Sequence, residues 1–437
     1  MPEGAPADDA ADRFVVRPGR PLEGTVRAGG AKNSALKLMA ASLLAEGRHV
    51  LAGVPRIVDV DIMSEVLVAI GARVQRLEAR GDGPGDLVID TPAELVPEAP
   101  YELVERMRAS VVVLGPLLAR TGRARVSLPG GDDFGNRPID IHLLGLGQLG
   151  AAFTTEHGYV VGRVPQAGHG GRLVGNRVVF EYPSHTATDN VLMAAVLAKG
   201  TTVIENAARE PEVADLARYL TAMGARITGA GTSRIVVEGV DALAPAQHRV
   251  IPDRVVAATF MAAVGLAGGD VVIEDARPDH MDMLLHKLGA MGIEIAQAPE
   301  GLRVVAHGRP HSVDVATLPY PGVATDYKPF VVTLLSIADG VGIVSENLFQ
   351  GRFRYVDELR RMGADIRTEG HHAVVRGVPR LSGAPVRAPD LRAGAALVLA
   401  GLVADGETVV AGIHHVERGY EDLDGKLRAL GADVVRA

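Results

Sequence analysis

The protein has 437 residues, with 45 basic and 53 acidic side chains, a net charge of −8 and 47% apolar residues. It has no cysteine, which excludes disulfides, thiolate zinc sites, iron–sulfur clusters and a cysteine nucleophile. No apolar run approaches the roughly 18 residues of a transmembrane helix, and the acidic charge, with 8 Phe, 8 Tyr and no Trp, argues against a nucleic-acid surface.

The first residues, MPEGAPADDAADRF, are acidic and lack the apolar centre of a secretion signal. We therefore expect residues 1–13 to be a short disordered tail. The run FVVRPGRPLEGTVRAGG follows and has the character of a strand. It is left over from the repeats described next, and we expect it to complete the other half of the molecule.

From residue 30 onward, one pattern occurs six times at a spacing of about 70 residues. Each copy has an apolar helix, a strand, a loop and a second helix that ends in a glycine. These glycines are Gly71, Gly150, Gly224, Gly292, Gly363 and Gly431. A glycine just past a helix end supplies the left-handed backbone conformation that stops the helix.

The two helices of each copy differ in their patterns. First helices such as LMAASLLA and NVLMAAVLA are apolar on nearly every side and must be buried on every side. Second helices such as VADLARYLTAMG are amphipathic. The pattern predicts an inside-out α/β fold of six helix–strand units, three per domain. The first domain would span 33–251, with a mobile loop around 128–140, and the second 14–32 plus 252–437.

Polar residues recur at equivalent points of the copies. Those at the starts of the apolar helices are Lys32, Asn33, Arg108, Thr188, Asp189, Asp326 and Arg392. Those in the loops after the central strands are Asp132, Arg137, Arg352 and Arg418. Helix N-termini attract anions, and added Lys or Arg strengthens them. The pattern predicts one cationic cleft if the two halves face each other. The alternative is that Asp326 is only a helix cap and that the arginines are surface residues.

The segment PGGDDFGNRPIDIHLLGLGQLG has a glycine-rich beginning that suits a mobile lid, although a turn-rich surface loop is the alternative. Its GLGQLG stretch does not indicate a dinucleotide site, because it lies late in a helix. The pairs His371–His372 and His414–His415 do not indicate a metal site, because neighbouring residues on a strand point to opposite faces.

Seven segments together carry a family resemblance: GAKNSALKLMAASLLAEG, RMRASVVVLGPLLAR, LPGGDDFGNRPIDIH, NAAREPE, PYPGVATDYKP, ENLFQGRF and RGYEDLDGKLRALGA. From about Phe14 to the C-terminus the chain resembles the UDP-N-acetylglucosamine 1-carboxyvinyltransferases, enolpyruvyl transferases related to 5-enolpyruvylshikimate-3-phosphate synthase. The resemblance implies a two-domain inside-out α/β barrel. It also implies transfer of the enolpyruvyl group of phosphoenolpyruvate to the 3-hydroxyl of UDP-N-acetylglucosamine in the cytoplasm, the first committed step of peptidoglycan precursor synthesis. No cofactor, metal, nucleic acid or membrane is implied.

The resemblance also implies roles for individual residues. The catalytic set is Asp132, Asp326, Lys32 and Arg418. The phosphoenolpyruvate-binding set is Lys32, Asn33, Arg137, Arg352, Arg392 and Arg418. The nucleotide-sugar set is Asn33, Arg108, Arg137, Pro138, Ile139, Asp140, Ile141, Ser184, His185, Asp326 and Leu348. Asp326 is the candidate base for the acceptor hydroxyl, and Asp132 is the candidate acid for C3 of phosphoenolpyruvate.

The chain departs from the family pattern at three places. Asp132 stands where the family usually has a cysteine, SHTAT replaces SVGAT around His185, and PDRVVAATF lacks an acidic residue after the arginine. Since the antibiotic fosfomycin alkylates that cysteine, we expect resistance. An ordinary aspartate is a poor acid at neutral pH, so Asp132 would need a raised pKa, which desolvation favours and Arg137 opposes.

The departure around His185 leaves the acceptor open. One alternative is an enolpyruvyl transferase that acts on another uridine nucleotide such as UMP. A second is a catalytically silent paralogue that binds a nucleotide sugar as a sensor, and a third, weaker one is a shikimate-type enzyme. Phosphate release with different acceptors distinguishes these alternatives.

Overall fold

The computed structural model describes residues 12–78, 85–128, 139–166, 170–349 and 351–437. The described chain forms two compact units, which we call unit A (the described residues between 30 and 251) and unit B (the described residues between 12 and 29 and between 252 and 437). Gly30–Lys32 thus belong to unit A, not to the second domain as expected, because the Ala31 N–H donates to the Ile251 carbonyl over 2.7 Å. Residues 1–11 of the expected tail lie outside the described residues. Arg13, also assigned to the tail, instead begins a strand.

The helices have the following bounds. They are α1 Lys32–Ala41, α2 Val58–Ile70, α3 Tyr101–Val104, α4 Leu114–Thr121, α5 Asp140–Gln148, α6 His185–Ala195, α7 Pro211–Ala222, α8 Arg254–Ala267, α9 Asp282–Ala290, α10 Lys328–Ile337, α11 Val356–Arg361, α12 Leu391–Gly401, α13 His414–Glu417 and α14 Leu423–Ala429. Short 3₁₀ turns occupy Ser42–Leu44, Arg108–Val113, Pro278–His280 and Thr325–Tyr327.

The strands have the following bounds. They are β1 Arg13–Arg17, β2 Leu22–Arg27, β3 Gly47–Ala52, β4 Arg73–Arg76, β5 Leu87–Thr91, β6 Glu98–Ala99, β7 Arg123–Ser127, β8 Ala152–Glu156, β9 Tyr159–Arg163, β10 Arg177–Val179, β11 Thr201–Glu205, β12 Arg226–Thr228, β13 Arg234–Glu238, β14 Gln247–Arg249, β15 Gly269–Glu274, β16 Glu294–Ala298, β17 Gly301–Ala306, β18 Val315–Ala316, β19 Val341–Ser345, β20 Asp365–Glu369, β21 His372–Arg376, β22 Leu381–Ser382, β23 Pro385–Arg387, β24 Ala404–Asp405, β25 Thr408–Ala411 and β26 Asp433–Arg436.

Each of the six repeats contributes one four-stranded sheet. The orders in unit A are β14-β3-β5-β4, β6-β7-β9-β8 and β10-β11-β13-β12. The orders in unit B are β16-β17-β15-β2, β18-β19-β21-β20 and β23-β25-β1-β26. Every sheet has one parallel pair and two antiparallel pairs. This confirms an α/β fold of six repeated units, three in each half. The strands described here form separate sheets and not one closed barrel.

Strands from outside a repeat complete three of the sheets. In unit A, β14 lies parallel to β3, so the end of the third copy completes the sheet of the first. In unit B, β2 lies parallel to β15, and β1 lies between β25 and β26. Phe14 and Val16 of β1 are buried in the core of unit B. The N-terminal strands therefore pair with the C-terminal half of the chain, more than 240 residues away along the sequence.

The first helices of the unit B repeats are buried on every side, as their composition predicts, whereas α1, α4 and α6 of unit A each have half-buried residues at one end. All but the last residue of α8 are buried, and so is every residue of α10 and α12. Small residues allow these helices to approach closely: a Cβ added to Gly115 of α4 would lie 2.3 Å from the Asn190 carbonyl oxygen of α6. None of the helices in the described ranges is long and apolar enough to cross a membrane.

The six glycines predicted to stop the second helices all have positive φ. The values are 111° at Gly71, 96° at Gly150, 107° at Gly224, 88° at Gly292, 86° at Gly363 and 100° at Gly431. This left-handed conformation turns the chain out of the helix and toward the next strand. The predicted repeat, with a glycine at the end of each second helix, is thereby confirmed.

Candidate active site

The predicted site residues form separate groups in unit A and unit B. In unit A, Lys32 is the first residue of α1, and its Nζ lies 2.7 Å from Oδ2 of Asp59 on α2. Both side chains are nearly fully buried. A buried charge needs a paired partner, so Asp59 is part of this group, although we did not single it out from the sequence. Asn33 follows in the first turn of α1 and is half-buried.

A second ion pair lies one turn further along α1. Lys37 Nζ is 2.8 Å from Oδ2 of Asp189 on α6 and also contacts Nε2 of His185. Burial raises the pKa of Asp189 to about 6, although the charge of Lys37 opposes the shift. Ser184 caps α6, since its side chain accepts a hydrogen bond from Ala187 N–H. The structure thus brings Ser184, His185 and Lys37 together at the start of α6.

Arg108 and the start of α5 belong to the same region of unit A. Arg108 begins the 3₁₀ turn that leads into α4, while Ile139, Asp140 and Ile141 lie at the start of α5. Burial, and secondarily the positive charge of Arg108, lower the pKa of His142 on α5 to about 3.

A neutral His142 links α5 to α6. Its Nδ1 accepts a hydrogen bond from Asn190 Nδ2 over 2.8 Å, and Thr186 Oγ1 lies 3.2 Å from its Nε2. The Asn190 amide also donates to the Val111 carbonyl. The helix that carries Ser184 and His185 is therefore connected to the turn that carries Arg108.

Three predicted site residues, Asp132, Arg137 and Pro138, lie outside the described residues. So do most of the residues of the loop predicted around 128–140, namely 129–138. The described flanks are β7, which ends at Ser127, and α5, which begins at Asp140.

In unit B, Asp326 lies between two buried guanidinium groups. Its Oδ1 is 2.8 Å from Nη1 of Arg352, and its Oδ2 is 3.5 Å from Nε of Arg392. The Asp326 side chain is 25% exposed, whereas those of Arg352 and Arg392 are 3% and 1% exposed. The carboxylate is therefore the accessible member of the group.

Both arginines keep their charge despite burial. Burial disfavours the guanidinium of Arg352, but Asp326 and Asp390 outweigh it and raise its pKa. Burial also disfavours the charge of Arg392, and here Tyr420, Asp326 and other acidic neighbours raise the pKa.

A further ion pair lies beside this group. Lys328 Nζ is 2.9 Å from Oε2 of Glu346, and both side chains are fully buried. Burial lowers the pKa of Lys328 to about 8, with Glu346 opposing the shift. Burial also acts to raise the pKa of Glu346, but Lys328 and its hydroxyl donors outweigh it and lower the pKa. The same carboxylate accepts the backbone N–H of Leu348 over 2.9 Å.

The segment of Arg418 approaches the same region through an aromatic residue. Arg418 directly follows α13 and is half-buried. Two residues later, the Tyr420 hydroxyl forms a 2.8 Å hydrogen bond with Thr259 Oγ1. The ring centroid of Tyr420 lies 5.2 Å from the guanidinium carbon of Arg392. The structure thus gathers Asp326, Arg352 and Arg392, with the chain around Arg418 beside them.

Comparison with known proteins identifies the family. A family model described as EPSP synthase (3-phosphoshikimate 1-carboxyvinyltransferase) matches residues 16–427. A UDP-N-acetylglucosamine 1-carboxyvinyltransferase from Nocardia farcinica is 51% identical over 97% of this chain and 98% of its own. The protein of the same name from Mycobacterium tuberculosis is 50% identical over 98% and 99%. The chain belongs to the UDP-N-acetylglucosamine 1-carboxyvinyltransferase family.

Solved structures agree with this family. The enolpyruvyl transferase NikO from Streptomyces tendae is similar with a TM-score of 0.85 and 25% identity, over 98% of this chain and 99% of its own. An EPSP synthase from Acinetobacter baumannii has a TM-score of 0.73 and 19% identity, over 98% and 100%, which supports the fold alone. Relatives near 50% identity over the full chain favour the carboxyvinyltransferase interpretation over a different uridine nucleotide acceptor.

The expected side-chain directions of the two histidine pairs in this carboxyvinyltransferase chain were wrong. His414 and His415 begin α13 and do not lie on a strand, while His371 precedes β21 in a turn. The ring centroids are 4.2 Å and 3.9 Å apart, so each pair lies together and does not point to opposite faces. No group of three metal-ligating residues occurs among the residues that the structure describes.

Proposed function

We propose that the protein transfers the enolpyruvyl group of phosphoenolpyruvate to the 3-hydroxyl of UDP-N-acetylglucosamine and releases phosphate. We place this reaction in the cytoplasm, as the first committed step of peptidoglycan precursor synthesis. Relatives of that name, about 50% identical over nearly their whole length, support the substrates. The observation that carries the proposal is the accessible Asp326 carboxylate held by the two buried arginines Arg352 and Arg392.

The reaction is an addition followed by an elimination. The acceptor hydroxyl oxygen forms a bond to C2 of phosphoenolpyruvate, while C3 gains a proton. The tetrahedral adduct then loses inorganic phosphate from C2 and a proton from C3, which restores the double bond. The first step needs a base at the hydroxyl and an acid at C3, and both steps need cations for the phosphate and carboxylate.

Asp326 is our base for the acceptor hydroxyl. A base must be ionised and must reach its proton, and two neighbouring guanidinium groups favour the carboxylate form while leaving it partly exposed. Arg352 and Arg392, with Arg418, bind the phosphate and carboxylate of phosphoenolpyruvate in our scheme. Guanidinium groups suit this role because they stay charged and pair with oxyanions in a bidentate manner.

Unit A supplies the nucleotide-sugar contacts and a cation in our scheme. The proposed set is Asn33, Arg108, Arg137, Pro138, Ile139, Asp140, Ile141, Ser184 and His185. The proposed nucleotide-sugar set also includes Leu348 and Asp326. The starts of α1, α5 and α6 offer backbone N–H groups to anionic substrates. Lys32 joins Asn33 and Arg137 as a ligand of phosphoenolpyruvate.

Asp132 is our acid for C3, in the position where the family usually has a cysteine. A carboxyl group is a weaker nucleophile toward an epoxide than a thiolate, and the chain has no cysteine. We therefore expect fosfomycin to leave activity unchanged. Incubation with fosfomycin followed by intact-mass measurement tests this, and a covalent adduct at Asp132 with lost activity would contradict it.

Phosphate release is the decisive assay. The purified protein is incubated with phosphoenolpyruvate and either UDP-N-acetylglucosamine or UMP, and phosphate is measured over time. We expect release with the nucleotide sugar and little with UMP. Faster release with UMP would favour the alternative acceptor. Calorimetric binding of UDP-N-acetylglucosamine without any phosphate release would indicate a silent paralogue.

A further inference from the structure

Glu346 lies between two segments that our proposed function assigns to the acceptor. It directly follows β19 and is 1% exposed. Its Oε1 accepts hydrogen bonds from Leu348 N–H over 2.9 Å, Phe349 N–H over 3.2 Å and the Thr317 hydroxyl over 2.7 Å. One oxygen of this carboxylate therefore fixes the backbone of Leu348, the proposed nucleotide contact.

The other oxygen of the Glu346 carboxylate binds two residues of the segment that carries Asp326, the proposed base. Glu346 Oε2 accepts from the Thr325 hydroxyl over 2.7 Å and from Lys328 Nζ over 2.9 Å. Because a hydroxyl has a single hydrogen, Thr325 uses it toward Glu346 and presents its lone pairs to Arg352 Nη1, 3.1 Å away. The same Nη1 lies 2.8 Å from Asp326 Oδ1.

Lys328 holds the arginine from a second direction. Its Nζ donates to the backbone carbonyl of Arg352 as well as to Glu346. Both the backbone and the guanidinium of Arg352 are thus tied to Glu346 through one intermediate side chain each. Five donors meet a single buried carboxylate, so a rotation of that carboxylate would leave several buried donors without an acceptor.

We propose that Glu346 is a positioning residue that sets the spacing between Leu348 and Asp326. In the proposed reaction this spacing places the reacting hydroxyl of a nucleotide-linked sugar against its base while the nucleotide is held at Leu348. The inference rests on the proposed function, since that function gives both residues their roles. It adds that an acceptor must have its hydroxyl at one fixed distance from the nucleotide.

The Thr325 hydroxyl is the point where this connection can be cut with the least change in shape. Thr325→Val removes the bridge to Arg352 but leaves the Oε1 side of Glu346, and hence Leu348, in place. Displacement of a catalytic group by about 1 Å can cost about 100-fold in rate. We expect kcat to fall about 10- to 100-fold, while KM for UDP-N-acetylglucosamine changes by less than about threefold. A merely structural role would not separate kcat from KM in this way.

Two single variants serve as controls. Thr325→Ser keeps the hydroxyl and should restore kcat to within about threefold of the wild type, in keeping with a role for the hydrogen bond alone. Thr333→Val removes a hydroxyl of α10 that is also buried and that bonds only to the Pro329 carbonyl in the structure described here. It should leave kcat unchanged. Circular dichroism melting of each variant checks that the protein is folded.

A double variant tests the route through Asp326. If Thr325 acts by placing Asp326, its loss should matter little once the base is gone, so Thr325→Val should lower kcat by less than about threefold in an Asp326→Asn background. Two results would overturn the inference while leaving the base role of Asp326 intact. One is a wild-type kcat in Thr325→Val. The other is a double variant in which the fold-losses in kcat of the two single variants multiply in full. Near-wild-type kcat in Asp326→Asn alone would contradict the proposed base and this inference together.

Discussion

Lys37–Asp189 in unit A and Lys328–Glu346 in unit B are both buried lysine–carboxylate pairs, but the pKa values of the two carboxylates shift in opposite directions. In unit A the pKa of Asp189 is raised to about 6, whereas in unit B the pKa of Glu346 is lowered. Both face a lysine ammonium at nearly the same distance, 2.8 Å for Asp189 and 2.9 Å for Glu346. The ion pair by itself therefore does not explain the difference.

The difference follows from the hydrogen bonds around each carboxylate. Glu346 accepts two hydroxyls and two backbone N–H groups in addition to its lysine. Among the residues that the structure describes, Asp189 pairs with Lys37, and the His185 ring nitrogen lies 3.8 Å away. Glu212 adds an opposing negative charge. A buried carboxylate thus keeps a pKa below its ordinary value when several donors fill its lone pairs, and one cation is not sufficient for that.

The largest expected effect tests whether the arginine-held carboxylate of unit B is catalytic. Asp326→Ala and Asp326→Asn should each lower kcat by at least about 100-fold, because a general base typically contributes about 100- to 10,000-fold. Steady-state phosphate release measures this. Asp405→Asn, at a side chain that is 73% exposed in the same unit, is the matched control and should leave kcat unchanged. Turnover within about twofold of the wild type for either Asp326 variant would remove this residue from the mechanism.

The second-largest expected effect is a loss of stability when Glu346 loses its lysine partner. In Lys328→Met, the Glu346 carboxylate loses its counter-charge, while the hydrogen-bond donors around it still favour its charged form. Breaking a buried ion pair in this way costs about 3–5 kcal/mol. The free energy of unfolding, from urea denaturation at pH 7.5 followed by circular dichroism, should fall by that amount. Lys328→Met combined with Glu346→Gln should recover part of it, and a loss below about 1 kcal/mol in the single variant would contradict the argument.

Several parts of this arrangement follow from sequence pattern alone. The glycines after the second helices and the all-round burial of α8, α10 and α12 follow from local rules of periodicity and backbone conformation. Asp326 and Arg392 were assigned to helix starts for the same reason. These features depend on neighbours along the chain, which a sequence displays directly.

The partners of the buried charges could not be predicted from sequence pattern. Asp59 meets Lys32, and Glu346 meets Lys328, only after separate elements have packed. A signal was nevertheless present: Lys37, Asp189 and Lys328 are charged residues within apolar helices, and such charges require partners. His414 and His415 were misjudged because a short helix of four residues has too little pattern to distinguish it from a strand end.

A smaller loss of stability is expected on the Asp189 side. Lys37→Met also removes a buried counter-charge, but Asp189 already has a pKa of about 6 and can take up a proton. Protonation at pH 7.5 costs about 1.4 kcal/mol for each pH unit above the pKa. We therefore expect the free energy of unfolding to fall by about 2 kcal/mol at pH 7.5 and by less at pH 5.5. A loss equal to that of Lys328→Met at both pH values would contradict the comparison.

The smallest effect is a pH dependence that has opposite signs for the two carboxylates. Because the folded pKa of Asp189 exceeds its ordinary value of 3.8, the folded protein binds more protons than the unfolded chain between pH 4 and 6. This contribution to stability is complete below pH 4 and is lost as the pH rises through 6, about 1 kcal/mol of it between pH 5 and 7. Glu346 behaves oppositely, since its contribution is present above its ordinary value of 4.5 and is lost on acidification, and it is nearly constant between pH 5 and 7.

Asp189→Asn isolates this contribution. His142 and His49, whose pKa values are lowered by burial, make the folded protein more stable as the pH rises from 5 to 7, and they do so equally in the wild type and the variant. Subtracting the free energy of unfolding of the variant from that of the wild type therefore cancels the contributions of the two histidines. On going from pH 5 to 7 the wild type should lose about 1 kcal/mol relative to Asp189→Asn. A difference that stays constant, or that changes in the other direction, would mean that Asp189 is ionised at pH 5 and that Lys37 alone suffices to keep a buried carboxylate charged.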